Sequence, residues 1–307
     1  MDKLIITDFY NNILIGFHLI DDEIEMIYDF SESEVGNIYC GIVKDITKNL
    51  SSAFIEFGDG KKGFLSLDKE VKCGDKILIQ VKADKMKTKD YLLTTDIDCE
   101  DVEEVKRKFE FSSPKARLYK SDYMIDTCKA LSEAGTEIIT DSEKVSQNLV
   151  GAKIQNLLYN NNSGISIENT YRLGKIIKDV LSKKVWMDSG AYLVIEHTEA
   201  LTSIDVNSGK NVSKKDRDEN IKAINFEAAD FIMKHLKLRN ISGIIIVDFI
   251  NMKDEYYEEL EEYMNELAKA DNVVCNIVGF TKLGLLEITR KKNRKSLFDI
   301  LSEVGND

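Results

Sequence analysis

Between Ser242 and Asn251 the chain reads GIIIVDFI, six apolar residues around one aspartate, and no other segment constrains the fold as much. A continuous apolar run of this kind, opened by glycine, predicts a central strand buried on both faces. Asp248 inside it is costly unless it is paired, hydrogen-bonded or bound to a metal. The segment LTSIDVN alternates instead: Leu201, Ser203, Asp205 and Asn207 share one face, and Thr202, Ile204 and Val206 the other. Asp205 and Asn207 are therefore neighbours that point the same way. AYLVIEH pairs with this strand as a hairpin turning at Thr198 to Ala200. Helices are predicted from about Asp218 to Arg239 and from Lys253 to Ala270, and NVVCNIVGF and LGLLEITR supply two further strands. Strands alternating with helices make this last third a mixed α/β layer.

Upstream, LIITDF, ILIGFHLI and EIEMIYDF read as short strands separated by Asn11-Asn12 and Asp21-Asp22, both good turn formers. From Gly36 to Asp98 come NIYCGIVKDI, SAFIEFG, GFLSL, DKILIQV and YLLTTDI, which predict a small closed barrel of the OB type. In SAFIEF, Ala53, Ile55 and Phe57 oppose Phe54; in GFLSL, Leu65 and Leu67 oppose Phe64. With the apolar sets inside, Phe54 and Phe64 project outward, where aromatic rings can stack unpaired bases. Helices over Lys120–Glu133, Asp141–Leu158 and Ile167–Ser182, with a strand at Gly135–Thr140, fill the middle of the chain.

The net charge of −12 argues against a general nucleic-acid coat protein. It does not exclude a nuclease, whose carboxylates hold metal while local basic patches hold RNA. Arg290, Lys291, Lys292, Arg294 and Lys295 put five basic residues within six positions, a phosphate-contacting footprint in an acidic chain. Lys61 and Lys62 form either a solvated turn or a further phosphate contact. The five cysteines are scattered and never form CxxC, which predicts reduced thiols in the cytoplasm and no structural zinc. No stretch approaches the roughly 18 consecutive apolar residues of a membrane span, and MDKLIITDFYNN, with neither a basic n-region nor a long enough apolar h-region, is not expected to act as a signal peptide. The three histidines form no catalytic set, although the position of His197 near Asp205 leaves a supporting role open.

Two aspartates and an amide carbonyl are hard oxygen ligands, suited to Mg²⁺ or Mn²⁺ and unsuited to zinc. Magnesium keeps several of its waters, one of which can attack a phosphodiester in line. Spacing alone leaves a plainer reading open, with Asp205 capping a strand end and Asp248 in a structural ion pair.

SIDVNSG (Ser203–Gly209), NFEAADFIMKHLKLRNISGIIIVDFINM (Asn225–Met252) and GFTKLGLLEITRKKNRKSL (Gly279–Leu297) resemble the catalytic subdomain of the ribonuclease E/G family. VGNIYCGIVKDI and SSAFIEFGDGKKGFLSL resemble that family's RNA-binding barrel. The resemblance implies an α+β multidomain fold. An OB-fold barrel (residues 36–98) is inserted into an RNase H-like scaffold (1–35 and 99–180), and a DNase I-like α/β catalytic subdomain (181–307) follows. Asp205, Asn207 and Asp248 are then catalytic, with Asp205 and Asp248 holding Mg²⁺ and Asn207 orienting Asp205 or the attacking water. The implied substrate is single-stranded RNA, cut to 5′-phosphate and 3′-hydroxyl ends. The implied RNA contacts are Phe54, Phe64 and Lys89, to which the basic run from Arg290 to Arg294 is added.

The rival expectation is an RNA-binding or RNA-chaperone protein that keeps the scaffold and cuts little. The chain departs from the family pattern twice. Between TTDIDCED and SSPKARLYK there is no Arg-Thr motif of a 5′-monophosphate sensor, and no paired-cysteine zinc link follows the catalytic motifs. No zinc is expected, and a homodimer would have to form without it.

Overall fold

A computed structural model describes residues 1–9, 13–47, 51–67, 69–85, 90–160, 164–209, 217–292 and 294–304; Lys89 lies outside them. The chain divides into two units, Ser31–Asp126 and a second made of Met1–Phe30 with Thr127–Asp307. The second unit begins with an antiparallel meander of β1 (Asp2–Phe9), β2 (Ile13–Ile20) and β3 (Glu23–Asp29). Asp21 and Asp22 turn β2 into β3 with φ of 51° and 65°, the left-handed pair that a two-residue hairpin requires.

The unit Ser31–Asp126 is built on β4 (Ile38–Thr47), β5 (Ser52–Phe57), β6 (Lys61–Ser66), β7 (Lys76–Ala83) and β8 (Tyr91–Thr94). β4 pairs with both β5 and β7, and the order β5-β6-β8-β7-β4 closes on itself as an OB-like barrel. Alternation decides which side chains enter. Ala53, Ile55, Phe57 and Leu65 meet Tyr39, Val43, Ile79, Val81 and Leu93 in the interior. Helix α1 (Val102–Phe111), capped by the Asp101 carboxylate, and β9 (Arg117–Tyr119), which pairs with β4, complete the unit.

After α2 (Tyr123–Glu133) the chain returns to the first sheet. β10 (Glu137–Thr140) lies parallel to β1, and β11 (Leu157–Tyr159) parallel to β10, giving the order β11-β10-β1-β2-β3. Two sequence expectations are corrected here. The helix expected to run to Leu158 is α3 (Glu143–Gly151); Lys153 and Asn156 then take left-handed φ, and Leu157–Tyr159 becomes a strand. Pairing with β10 outweighs the local helical pattern. The helix expected from Ile167 is broken into α4 (Ile167–Thr170) and α5 (Leu173–Val180) by Arg172, whose φ is 54°.

The last sheet contains β12 (Lys184–Trp186), β13 (Tyr192–His197), β14 (Leu201–Asn207), β15 (Gly243–Asp248), β16 (Cys275–Phe280) and β17 (Leu285–Arg290), in the order β12-β13-β14-β15-β17-β16. β14 and β15 are parallel; the other neighbours are antiparallel. α6 (Arg217–Leu238) and α7 (Asp254–Lys269) supply Ala228, Ile232, Leu236, Leu260 and Met264 to one core with Leu193, Ile204, Val206, Ile245, Val247 and Ile288. A terminal helix, α8, spans Leu297–Val304. β15 is central, but it is not buried on both faces. Ile245 and Val247 are fully covered, whereas Ile244 is 51% exposed and Asp248 is also exposed. The core formed with α6 and α7 takes alternate residues only, so the apolar run carries one buried face and one open one.

The C-terminal end of α6 contains a buried basic cluster. Arg239 Nε donates to His235 Nδ1 at 3.2 Å, and Arg239 Nη2 donates to the Ser182 carbonyl at 2.8 Å. Burial first, and then the charges of Arg239 and Lys234, push the His235 imidazole from 6.5 down to about 3. Between these two values the unfolded chain binds a proton that the folded chain refuses, so stability falls as pH falls through that window. We expect the melting temperature to drop from pH 7 to pH 5, and His235→Gln to flatten that slope in a thermal melt; an unchanged slope would remove His235 as its source.

Candidate active site

Asp205 and Asp248 are direct partners in the parallel register of β14 and β15. Side chains so paired stand on the same face, and neighbouring strands lie about 4.8 Å apart. Both carboxylates are exposed, at the C-terminal ends of the two strands. Two like charges this close repel unless a cation or solvent separates them. The third residue is joined by a hydrogen bond: Asn207 Nδ2 donates to Asp205 Oδ2 at 2.7 Å. The sequence-predicted set of Asp205, Asn207 and Asp248 is thus brought together on one open sheet face. Glu287 shares that face, opposite Ile246.

Local structure fixes these positions. The chain leaving Asn207 reaches Gly209 at φ +65°, where a Cβ would stand 2.4 Å from the Gly190 carbonyl oxygen, so only glycine fits. Asn225, fully buried in α6, holds the segment after Asp248: its Nδ2 donates to the Ile250 carbonyl at 2.7 Å, and its Oδ1 accepts from the Ile250 N–H at 3.1 Å. Asn225 was not singled out as a site residue from the sequence. The available signal was a polar amide on the apolar face of a helix that packs beside the aspartate strand.

The donor set suits a hard divalent cation. It offers two carboxylates and an amide, all open to solvent, with one Asp205 oxygen already fixed by Asn207. Among the described residues no group of three or more His, Cys, Asp and Glu side chains stands at ligating spacing. A cation here would therefore complete its shell with the amide and water, as magnesium commonly does. His197 is not part of the set. Its partner across the hairpin is Thr202, three residues before Asp205; its Nδ1 lies 2.8 Å from Thr202 Oγ1 and its ring stacks on Phe298. Burial, and after it the Arg239 charge, lower its pKa.

The basic run is divided. Arg290 is 4% exposed. Its Nε and Nη2 donate to the Asp271 carboxylate at 2.7 and 3.1 Å, and its Nη1 donates to Asn240 Oδ1 and the Ile241 carbonyl. This guanidinium is an interior residue with no face for RNA, which corrects the expectation from sequence. Arg294 Nη1 donates to the Asp29 carbonyl at 3.0 Å. Lys291 and Lys292 are exposed. The antiparallel register sets Gly243 opposite Arg290 and Asp248 opposite Leu285, so the run lies at the far end of β15 from the carboxylates. Five residues of strand amount to about 17 Å.

On the barrel, Phe54 and Phe64 are direct cross-strand partners, with ring centroids 5.9 Å apart in an edge-on arrangement. Both are partly exposed on the outer face, and Leu92, 37% exposed, stands beside Phe64 on β8. Lys61 and Lys62 open β6 rather than lying in a loop; Lys61 is engaged by the Glu34 carboxylate, which also accepts from Tyr39 Oη and Asn37 Nδ2, so the lysine left facing solvent is Lys62.

Comparison with known proteins gives one consistent result. A sequence model described as the Ribonuclease E/G family matches residues 67–293, a span that contains Asp205, Asn207 and Asp248 and begins after Phe54 and Phe64. Ribonuclease G of Haemophilus influenzae is 40% identical over 148 residues, covering 48% of this chain and 30% of that protein. Ribonuclease E of Synechocystis sp. is 40% identical over 141 residues, covering 45% of this chain and 21% of that protein. Ribonuclease G of Escherichia coli K12 is 40% identical over 126 residues, covering 41% and 26%. The aligned stretches thus span less than a third of these relatives.

The two halves of the basic run differ in what their loss should do. Arg290→Met leaves the buried Asp271 charge unpaired, which costs roughly 3–5 kcal/mol, and denaturant unfolding should register that loss. Lys291→Met and Lys292→Met should leave stability within about 0.5 kcal/mol. An Arg290→Met protein of normal stability would show that the buried pair contributes little.

Proposed function

The chain belongs to the ribonuclease E/G family, and from that premise we propose that it is a divalent-cation-dependent endoribonuclease acting on single-stranded RNA. The observation that carries this reading is Asp205 beside Asp248 on an open sheet face, with Asn207 bonded to Asp205. Asp205 and Asp248 hold Mg²⁺, or Mn²⁺ in its place. When bound, the cation neutralises phosphodiester charge and lowers the pKa of a water. Asn207 fixes the orientation of the Asp205 carboxylate. The buried amide of Asn225 keeps the segment beyond Asp248 in place, so that both carboxylates meet the substrate already oriented. The products carry 5′-phosphate and 3′-hydroxyl ends.

The six-stranded sheet with α6 and α7 is read as the DNase I-like catalytic subdomain. The five-stranded sheet, an antiparallel meander extended by two parallel strands, supports an RNase H-like scaffold. Phe54 and Phe64 stack bases on the barrel, with Leu92 extending the apolar surface and Lys89 assigned from the resemblance. Lys291 and Lys292 meet phosphates at a distance from the cut. Among the described residues no helix is long and apolar enough to cross a membrane. The free cysteines favour a cytoplasmic setting.

The test is incubation of the whole chain with short single-stranded RNAs, with Mg²⁺ or with a chelator. Internal cleavage to 5′-phosphate products is expected only with Mg²⁺. Asp205→Asn and Asp248→Asn should each lower kcat by at least about a hundredfold, with the circular dichroism spectrum unchanged. Full activity of either variant would remove that carboxylate from the mechanism, and binding without cleavage would favour an RNA-binding role. Separately, Phe54→Ala and Phe64→Ala should each weaken RNA affinity by about 1–3 kcal/mol, the scale of one stacked base, and leave cleavage dependent on Mg²⁺. Unchanged affinity in both would move RNA binding away from this face of the barrel.

A further inference from the structure

The open face that carries the carboxylates also carries an aromatic pair with a cation set against it, and neither was singled out from the sequence. Two cross-strand rows define the arrangement. In one, Trp186 lies opposite Tyr192, and Tyr192 opposite Asn207. In the next, Lys184 lies opposite Val194, Val194 opposite Asp205, and Asp205 opposite Asp248. Direct partners share a face, so all of these side chains stand on the same side of the sheet. Val185 and Leu193, between them in sequence, point into the core.

Trp186 is 60% exposed, an unusual position for the largest side chain unless it serves contact. Its ring centroid lies 5.2 Å from that of Tyr192. Lys184 Nζ sits 3.6 Å from the Tyr192 centroid and 3.9 Å from the Trp186 centroid. These contacts hold a flexible ammonium in one place. The turn joining β12 to β13 is itself fixed, by Met187 N–H to the Ala191 carbonyl at 2.9 Å and by Ser189 N–H to Glu227 Oε1 at 2.9 Å. Charge supplies the second argument. Asp205, Asp248 and Glu287 make this face repel a phosphate chain, Glu196 being paired with Lys183 at 2.6 Å, and an anchored cation two strands from Asp205, about 10 Å, offsets that repulsion.

We propose that Lys184, Trp186 and Tyr192 are positioning residues that hold the nucleotide next to the scissile phosphodiester. Its phosphate is met by Lys184 and its base lies against the exposed face of Trp186, with Tyr192 supporting both. An aromatic ring accepts any base, so this site aligns the strand without selecting sequence. The inference rests on the endoribonuclease reading above.

Trp186 is the only tryptophan in the chain, so its emission reports this site alone. The experiment titrates the whole protein with a short oligouridylate in chelator and follows Trp186 emission and, in parallel, the anisotropy of the same RNA carrying an end label. Quenching with the same midpoint as the anisotropy change is expected. With Mg²⁺, Trp186→Ala should raise KM about tenfold, the scale of one lost stacked base, with kcat within about twofold; Trp186→Phe should restore KM. Lys184→Met should raise KM and reduce the dependence of log affinity on log salt by about 0.7, one phosphate contact on a single strand. RNA that is bound and cut while emission stays constant and Trp186→Ala keeps its KM would overturn this inference and leave the nuclease reading standing. RNA neither bound nor cut would overturn both.

Discussion

One-sided burial of the six-stranded sheet is the constraint on which the rest of this unit depends. Its core with α6 and α7 takes every second residue of β12 to β15 and β17. The residues between are left on the opposite side, where polar and charged groups meet water without a desolvation cost. Asp205, Asn207 and Asp248 fall in that second set. A shift of one residue in either strand would turn a carboxylate into the hydrophobic core. The apolar face therefore fixes which way each carboxylate points, and the parallel register of β14 and β15 then sets Asp205 beside Asp248.

The same logic separates groups that look adjacent in the sequence. Arg290 continues a strand whose even-numbered residues Leu286 and Ile288 are fully buried, so its guanidinium enters the interior and requires Asp271. Lys291, the next residue, returns to the surface. A run of basic residues is thus divided between structure and solvent by the two-residue period of the strand that precedes it. The antiparallel pairing of β17 with β15 then sets the whole run at the end of the sheet away from the carboxylates.

In the barrel, alternation acts with closure. Ala53, Ile55 and Phe57 fill the interior, and Phe54 is left outside across from Phe64. The barrel and the α/β sheet thus each present aromatic side chains on a face that the fold leaves uncovered, Phe54 with Phe64 on one and Trp186 with Tyr192 on the other. In both cases the core is satisfied first, and the exposed rings are what the pattern leaves over.

The alternation in LTSIDVN and SAFIEF determined by itself which of their residues share a face, because a strand has a period of two whatever it packs against. Residue types likewise determined that an Asp-Asn-Asp set would favour a hard cation. Tertiary structure decided the rest. GIIIVDFI gave no sign of which face would be covered, since an unbroken apolar run is compatible with one covered face or two; the core shared with α6 and α7 exposed Asp248. Strand order, direction and register placed Asp248 next to Asp205 and brought Trp186 and Lys184 into rows with Asn207 and Asp205. Those are contacts between residues far apart in the chain, set by which strands pair and in which register, and local sequence does not encode them.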